Sequence, residues 1–182
     1  MKSNIDTQYC FMSPLRIGTL FSGIGAFEEA LQQLGVPHQI RFACDTGEIE
    51  LIPLDDPVKR RAYKDLNRRI RNLDVGEKEE YNKLKALVSK RNDEIREHCY
   101  NLQNKEERSH FVNELYRRYE GNKRNYVKES YLANYIIDSG DFHTDIRFMR
   151  GDEYAGHVDI LVGGSPCQSF STYGKKQGLE DV

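Results

Sequence analysis

The side chain in this sequence best suited to covalent chemistry is a thiol. Cys167 follows Pro166 at the end of the run Asp159-Ile160-Leu161-Val162-Gly163-Gly164-Ser165. The branched apolar residues of that run read as a buried strand, and Gly-Gly-Ser-Pro ends it in a loop. A cysteine just beyond the C-terminal end of an interior strand stands where open α/β sheets bind their ligands. Its thiolate is a nucleophile once the pKa is lowered or a proton acceptor is nearby. Packing gives no reason for a thiol in a polar Gly/Ser loop. The other cysteines, Cys10, Cys44 and Cys99, fall in an N-terminal lead, a strand pattern and a helix pattern, where a buried inert thiol is the ordinary reading. The four share no C-x-x-C or metal-ligand spacing, so neither zinc nor a disulfide framework is expected.

A second constellation lies near the N-terminus. Leu15 to Phe21 has a strand pattern, Ser22-Gly23-Ile24-Gly25 breaks it, and Ala26 to Leu34 puts apolar positions 27, 30, 31 and 34 on one helical face before Gly35 stops the helix. Gln39 to Cys44 reads as a second strand closed by Asp45, about 20 residues beyond the glycine turn. This is the layout of a βαβ nucleotide-binding half. Glycines let a ligand approach the backbone, and a carboxylate at the next strand end accepts hydrogen bonds from ribose hydroxyls. The third-glycine position of the dinucleotide fingerprint holds Glu28, which disfavours a nicotinamide enzyme. A cofactor without a pyrophosphate tolerates that change.

The elements that must position these groups follow from the rest of the chain. From about 47 to 122 the composition turns to Lys, Arg, Glu and Asn without strand alternation. Asp56 and Pro57 can start a helix with Tyr63, Leu66, Ile70 and Leu73 on one stripe. Asp74-Val75-Gly76 breaks it. A second stretch carries Tyr81, Leu84, Val88, Ile95 and Leu102, and a third carries Phe111 to Tyr119 and ends at Gly121. We expect a helical insert at 47–122 that carries no catalytic chemistry and whose charges form a solvated face rather than a DNA-gripping surface. A helix over Tyr126 to Tyr135 and a short strand Phe142 to Ile146, containing the carboxylate of Asp145, then lead to the Cys167 strand. Four strands in the doubly wound order 3-2-1-4 would set the glycine turn beside Cys167. The expected fold is therefore α/β, with a lead at 1–14 and a partial Rossmann-like domain at 15–182 interrupted by the insert.

Composition limits the function classes. The 182 residues allow one domain with a true core. With 31% charged residues and a net charge of -2, general coating of nucleic acid is disfavoured, so any such contact must be local. No apolar run reaches the roughly 18 residues of a membrane span, and the expectation is a cytoplasmic protein without membrane contact.

Phe21-Ser22-Gly23-Ile24-Gly25 with Phe27, together with Gly163-Gly164-Ser165-Pro166-Cys167-Gln168-Ser169-Phe170-Ser171 and Gly174-Lys175-Lys176-Gln177-Gly178-Leu179-Glu180-Asp181, resembles the DNA (cytosine-5) methyltransferases. The matches cover roughly 15–45 and 125–181, leaving out the insert. The resemblance implies S-adenosylmethionine as cofactor, held by Phe21, Ser22, Gly23, Ile24 and Gly25, by Asp45 at the ribose with Thr46 beside it, by Asp145 and Ile146 at the adenine, and by Gly164 and Pro166. Three departures stand out: Ala26 where the family has a second glycine, Asp45 where it has glutamate, and Thr46 where an aromatic residue is frequent. The resemblance further implies that Cys167, presented by Pro166, adds to C6 of a cytosine flipped out of double-stranded DNA. Gln168, Ser169, Ser171, Lys175 and Lys176 would then lie on a DNA-facing loop, with plain surface lysines as the competing reading for the last two.

The family's Glu-Asn-Val segment, its arginine-rich catalytic motif and a target-recognition region are not found. We therefore expect a fragment or one subunit of a split enzyme, negligibly active alone and partnered by a C-terminal methyltransferase part. The alternative is a non-catalytic module, derived from a methyltransferase, that binds S-adenosylmethionine or a partner; the intact Pro166-Cys167 pair discriminates against it.

Overall fold

A computed structural model of the chain describes residues 13–138 and 140–164. Strands β1 (Leu15–Leu20), β2 (His38–Cys44), β3 (Phe142–His143) and β4 (Ile160–Gly163) form one parallel sheet in the order β3-β2-β1-β4. The doubly wound order expected from the sequence is thus the observed one. Helix α1 (Ala26–Gln33) connects β1 to β2, as a parallel pair requires. Between β2 and β3 come α2 (Pro57–Arg68), α3 (Val75–Asn101), α4 (Lys105–Glu120) and α5 (Tyr126–Asn134).

Helices α2 to α5 each start where the sequence offers a capping side chain. Asp56 accepts the Val58 and Lys59 N–H groups with Pro57 in the first position of α2. Asp74 and Glu77 form a reciprocal capping box at α3. Asn104 caps α4, and Gly121 ends it in a left-handed conformation. These caps satisfy N–H groups that the helices leave without partners. Tyr63, Leu66 and Leu73 pack against Tyr81, Leu84 and Val88, and the rings of Tyr63 and Tyr81 are stacked 5.5 Å apart.

Four local features depart from expectation. Helix α1 does not bury positions 30 and 34, since Leu34 is 76% exposed, while Glu28 is fully buried. The reason is polar: the Thr19 hydroxyl and the Tyr131 hydroxyl both donate to Glu28 Oε1, at 2.8 and 2.6 Å. That rolls the helix so that Glu28 and Leu31 face the sheet. Strand β3 stops at His143, because Asp145 turns to cap a 3-10 helix at Ile146–Phe148. Strand β4 is not buried: Ile160 and Leu161 are 40% and 61% exposed, since among the described residues it pairs with β1 alone. Finally, Leu51, Ile52, Pro53 and Leu54 form no helix or strand yet are buried. Leu51 joins Ile95, Cys99, Val112, Leu115, Tyr116 and Tyr119 of α3 and α4 in a core that also takes in Phe148. The helical segment after β2 therefore shares its interior with the chain that follows β3.

Candidate functional site

The glycine turn is built from the ends of β1 and β2. The Ser22 N–H donates to the Cys44 carbonyl at 3.1 Å, and the Gly25 N–H returns to the Ser22 carbonyl at 3.1 Å, closing the turn. Gly25 has φ 94, and a Cβ there would lie 2.2 Å from the ring of Tyr135, whose hydroxyl donates to the Gly25 carbonyl at 2.8 Å. No other residue fits that position. At Gly23 nothing lies within 4 Å of where a Cβ would be, so the turn is open on its outer side. Phe21, with φ 54, and Ile24 flank it with exposed apolar side chains. The Ser22 hydroxyl is buried yet has no hydrogen-bond partner among the described residues. A native buried hydroxyl without a partner is rare, and here it stands at the mouth of an open glycine turn. That is a polar group ready for a ligand.

Asp45 ties this turn together. Its Oδ2 accepts the Gly23 N–H at 2.9 Å and its Oδ1 accepts the Gly47 N–H at 2.8 Å. The residue is half-buried, and each oxygen retains a second lone pair for a ligand hydroxyl. Thr46 beside it is also half-buried. Asn125, the cap of α5, donates to the Asp45 carbonyl at 3.0 Å.

Asp145 has a different environment. It is 3% exposed and accepts from the Tyr116 hydroxyl at 2.9 Å and from the Arg147 side chain at 2.6 Å, among other bonds. Burial, then the Asp145 charge and its hydrogen bond, pushes the Tyr116 hydroxyl far above the usual phenol range. Asp145 and the next residue thus separate. Ile146 is 38% exposed and lines a cavity of about 520 Å³ with Leu20, Phe42, Met149, Tyr154 and Leu161, whereas the Asp145 carboxylate is enclosed by α4 and Arg147.

On the other side of β1, Leu20 pairs with Gly163 of β4, and Gly163 approaches so closely that an added Cβ would lie 3.2 Å from that of Leu20. The start of β4 is pinned by Asp159, whose Oδ1 receives Arg16 Nη2 at 2.6 Å. Hydrogen bonds from the Arg16 side chain and N–H hold the Asp159 carboxyl at about 2. Gly164 is exposed. The expected site residues Pro166, Cys167, Gln168, Ser169, Ser171, Lys175 and Lys176 lie outside the described residues, as does Cys10. Cys44 is 3% exposed, and burial raises its thiol far above the ordinary range; burial pushes Cys99 up to about 11. Neither is a nucleophile at neutral pH.

Sequence reasoning missed a buried polar network behind β3. Lys105 of α4 pairs with Asp141 at 2.9 Å, and Tyr154 donates to the other Asp141 oxygen at 2.7 Å. The Tyr154 oxygen lies 2.7 Å from His143 Nε2. Because the tyrosine proton is already committed, Nε2 carries the proton in this contact. Burial holds the His143 pKa down to about 4, so the ring is neutral. Arg108 of α4 adds an ion pair with Glu153 and a bond to the Leu102 carbonyl. The partners are 36 and 45 positions apart, which no local pattern reveals. Tyr116 and Tyr135 fall in stretches with a helix pattern, and their only sequence signal is a tyrosine where a hydrocarbon would serve, since a buried hydroxyl demands a partner.

Residues 121–182 match the family model described as C-5 cytosine-specific DNA methylase. The chain is 44% identical over 52 residues, 28% of its length, to the type II methyltransferase M1.ScrFI of Lactococcus lactis subsp. cremoris, of which this covers 13%. It is 47% identical over 38 residues, 21% of its length, to the type II methyltransferase M.Eco47II of Escherichia coli, of which this covers 9%. The chain therefore matches about a tenth of the length of these curated relatives. No solved structure matches the chain. Among the described residues, no helix is long and apolar enough to cross a membrane.

Proposed function

From the match of residues 121–182 to the C-5 cytosine-specific DNA methylase model, we propose that this chain supplies the cofactor-binding and nucleophile-bearing part of a DNA (cytosine-5) methyltransferase of a restriction-modification system. The observation that carries the reading is the pairing of Leu20 with Gly163, which brings the open glycine turn beside the strand that leads into Pro166 and Cys167. The residues present suit S-adenosylmethionine: an unpartnered buried Ser22 hydroxyl for a polar end, an open backbone at Gly23, and spare lone pairs on Asp45 for ribose hydroxyls. Thr46 offers no ring to an adenine, and with Asp145 enclosed the exposed Ile146 is the apolar contact on that side. When bound, the cofactor supplies an electrophilic methyl group.

Cys167 acts as the nucleophile. Its thiolate forms a bond to C6 of a cytosine flipped from duplex DNA, which makes C5 electron-rich; C5 takes the methyl group, and loss of the C5 proton expels the thiolate by breaking the S–C6 bond. Pro166 fixes the loop that presents the thiol. Gln168, Ser169, Ser171, Lys175 and Lys176 contact the DNA, the lysines at phosphates. The helical segment 47–122 is an insertion into the methyltransferase sheet. The apolar, exposed β4 favours a C-terminal methyltransferase part as partner, since an uncovered strand is an association surface. The protein works in the cytoplasm.

Duplex DNA containing 5-fluorocytosine tests this, with S-adenosylmethionine present and with or without a complementary C-terminal part. A covalent adduct is expected and is lost in Cys167→Ser. Cofactor binding by calorimetry without any adduct under either condition would instead make the chain a non-catalytic cofactor-binding module.

A further inference from the structure

The helical segment carries two kinds of charged surface. Helix α3 has six basic and six acidic residues between 75 and 101, and they neutralise one another in pairs such as Lys83–Glu79, Arg91–Glu94 and Arg96–Asp93. Residues 57–72, covering α2 and the turn after it, hold seven basic residues and one acidic one in a chain whose net charge is -2. That one acid, Asp65, is taken by Arg69 at 3.0 Å, and Lys64 is taken by Glu120 at 2.7 Å. Lys59, Arg61, Arg68 and Arg71 are exposed and have no ion pair among the described residues. The helix buries Tyr63 and Leu66 against α3, so Arg61 and Arg68 rise from the opposite side, and Arg71 is exposed in the turn that follows. At 1.5 Å per residue Arg61 and Arg68 lie about 10 Å apart along α2, with Arg71 in the turn beyond, a length over which one DNA strand presents more than one phosphate.

We propose that the outer face of α2, through Arg61 and Arg68, together with Arg71 of the turn that follows, is an accessory contact to the phosphate backbone of duplex DNA. The proposal rests on the reading of the chain as part of a DNA methyltransferase, and it commits to DNA by charge complementarity: seven basic residues against one acid, Asp65, which Arg69 already pairs, on an otherwise balanced chain. Such a contact carries no sequence information. It adds affinity and orients the duplex relative to the sheet.

The test compares the full chain with the exposed triple variant R61Q/R68Q/R71Q and with a charge-matched variant on α3, K78Q/K85Q/K90Q. Binding to duplex DNA of two unrelated sequences is measured against salt concentration. The slope of log K against log salt is expected to fall by about 0.9 for each lost phosphate contact, near 3 in all, in the α2 variant, equally for both sequences and not in the α3 variant. An unchanged slope, or equal loss in both variants, overturns the proposal and leaves the methyltransferase reading standing. Absence of duplex binding by the wild-type chain also overturns it, and trapping on 5-fluorocytosine DNA then reports separately whether that reading survives.

Discussion

Asp45 and Asp145 close neighbouring strands of one sheet, and their side chains are held in opposite ways. Asp45 is half-buried and, among the described residues, its carboxylate accepts backbone N–H groups alone, from Gly23 of the glycine turn and from Gly47, which leaves lone pairs free. Asp145 is 3% exposed, and its oxygens are spent on Tyr116 and Arg147. The same residue type at equivalent strand ends thus keeps lone pairs open in one case and spends them within the fold in the other. The difference comes from what covers each strand end. The Asp45 carboxylate faces backbone N–H groups of two turns, whereas the Asp145 carboxylate faces Tyr116 of α4 and Arg147. A carboxylate covered by a helix must find partners within the fold, because an unpaired buried charge is far more costly than any surface contact is stabilising.

Replacing each aspartate breaks or sharpens this contrast. Asp145→Ala leaves Arg147 partly buried opposite Tyr116, and the expected loss is about 3–5 kcal/mol of unfolding free energy, or ~10 °C in Tm. Asp45→Ala is expected to lose about 1 kcal/mol while weakening S-adenosylmethionine binding at least ~10-fold. Urea unfolding paired with calorimetry checks both; similar stability losses in the two variants would erase the distinction.

The buried end of β3 also predicts an acid limb. His143 is held at about 4 in the folded chain against an ordinary value near 6.5, so the unfolded state binds the additional proton. Its contribution is therefore fully present above pH ~6.5 and is lost as pH falls toward 4, by about 3 kcal/mol. Unfolding curves collected between pH 7 and 4 should show this fall, and His143→Gln should flatten it.

At the other strand end, Gly25→Ala forces a side chain into φ 94 and against the Tyr135 ring. About 2 kcal/mol is expected to go. Tyr135→Ala in the same chain should recover the steric share alone, so the double variant is more stable than the summed losses predict. The smallest effect is that of Tyr116→Phe. It removes one of several bonds to Asp145, costs about 1 kcal/mol, and leaves cofactor affinity unchanged. A drop in affinity there would show that Asp145 acts at the ligand after all.

Much of the frame was legible because local chemistry dictates it. The glycine turn, the strand patterns on either side, Asp56-Pro57 at the start of α2 and Gly121 at the end of α4 each specify their conformation within a few residues. The sheet order followed from topology rules rather than from side chains. Glu28 was not legible as a buried residue, since its burial depends on Tyr131, 103 positions away. Leu51 to Leu54 escaped notice for another reason: a segment covered on every side shows no periodicity. The exposure of β4 reversed a reading from composition, because a run of branched residues reports a preference for burial and not the presence of a cover.

The feet of the helical segment meet. Asn125, where the chain returns, donates to the carbonyl of Asp45, where it leaves, and a Cβ on Gly47 would lie 2.2 Å from the Asn125 carboxamide. Some eighty residues therefore hang from one joint. In evolutionary terms, such a joint can accept cargo of almost any length, because closure entropy grows only with the logarithm of the loop. The cargo is nonetheless no longer removable at will. Tyr116, Lys105 and Arg108 each partner an acid beyond the segment, Asp145, Asp141 and Glu153, so removing it would strip one partner from each of three acids.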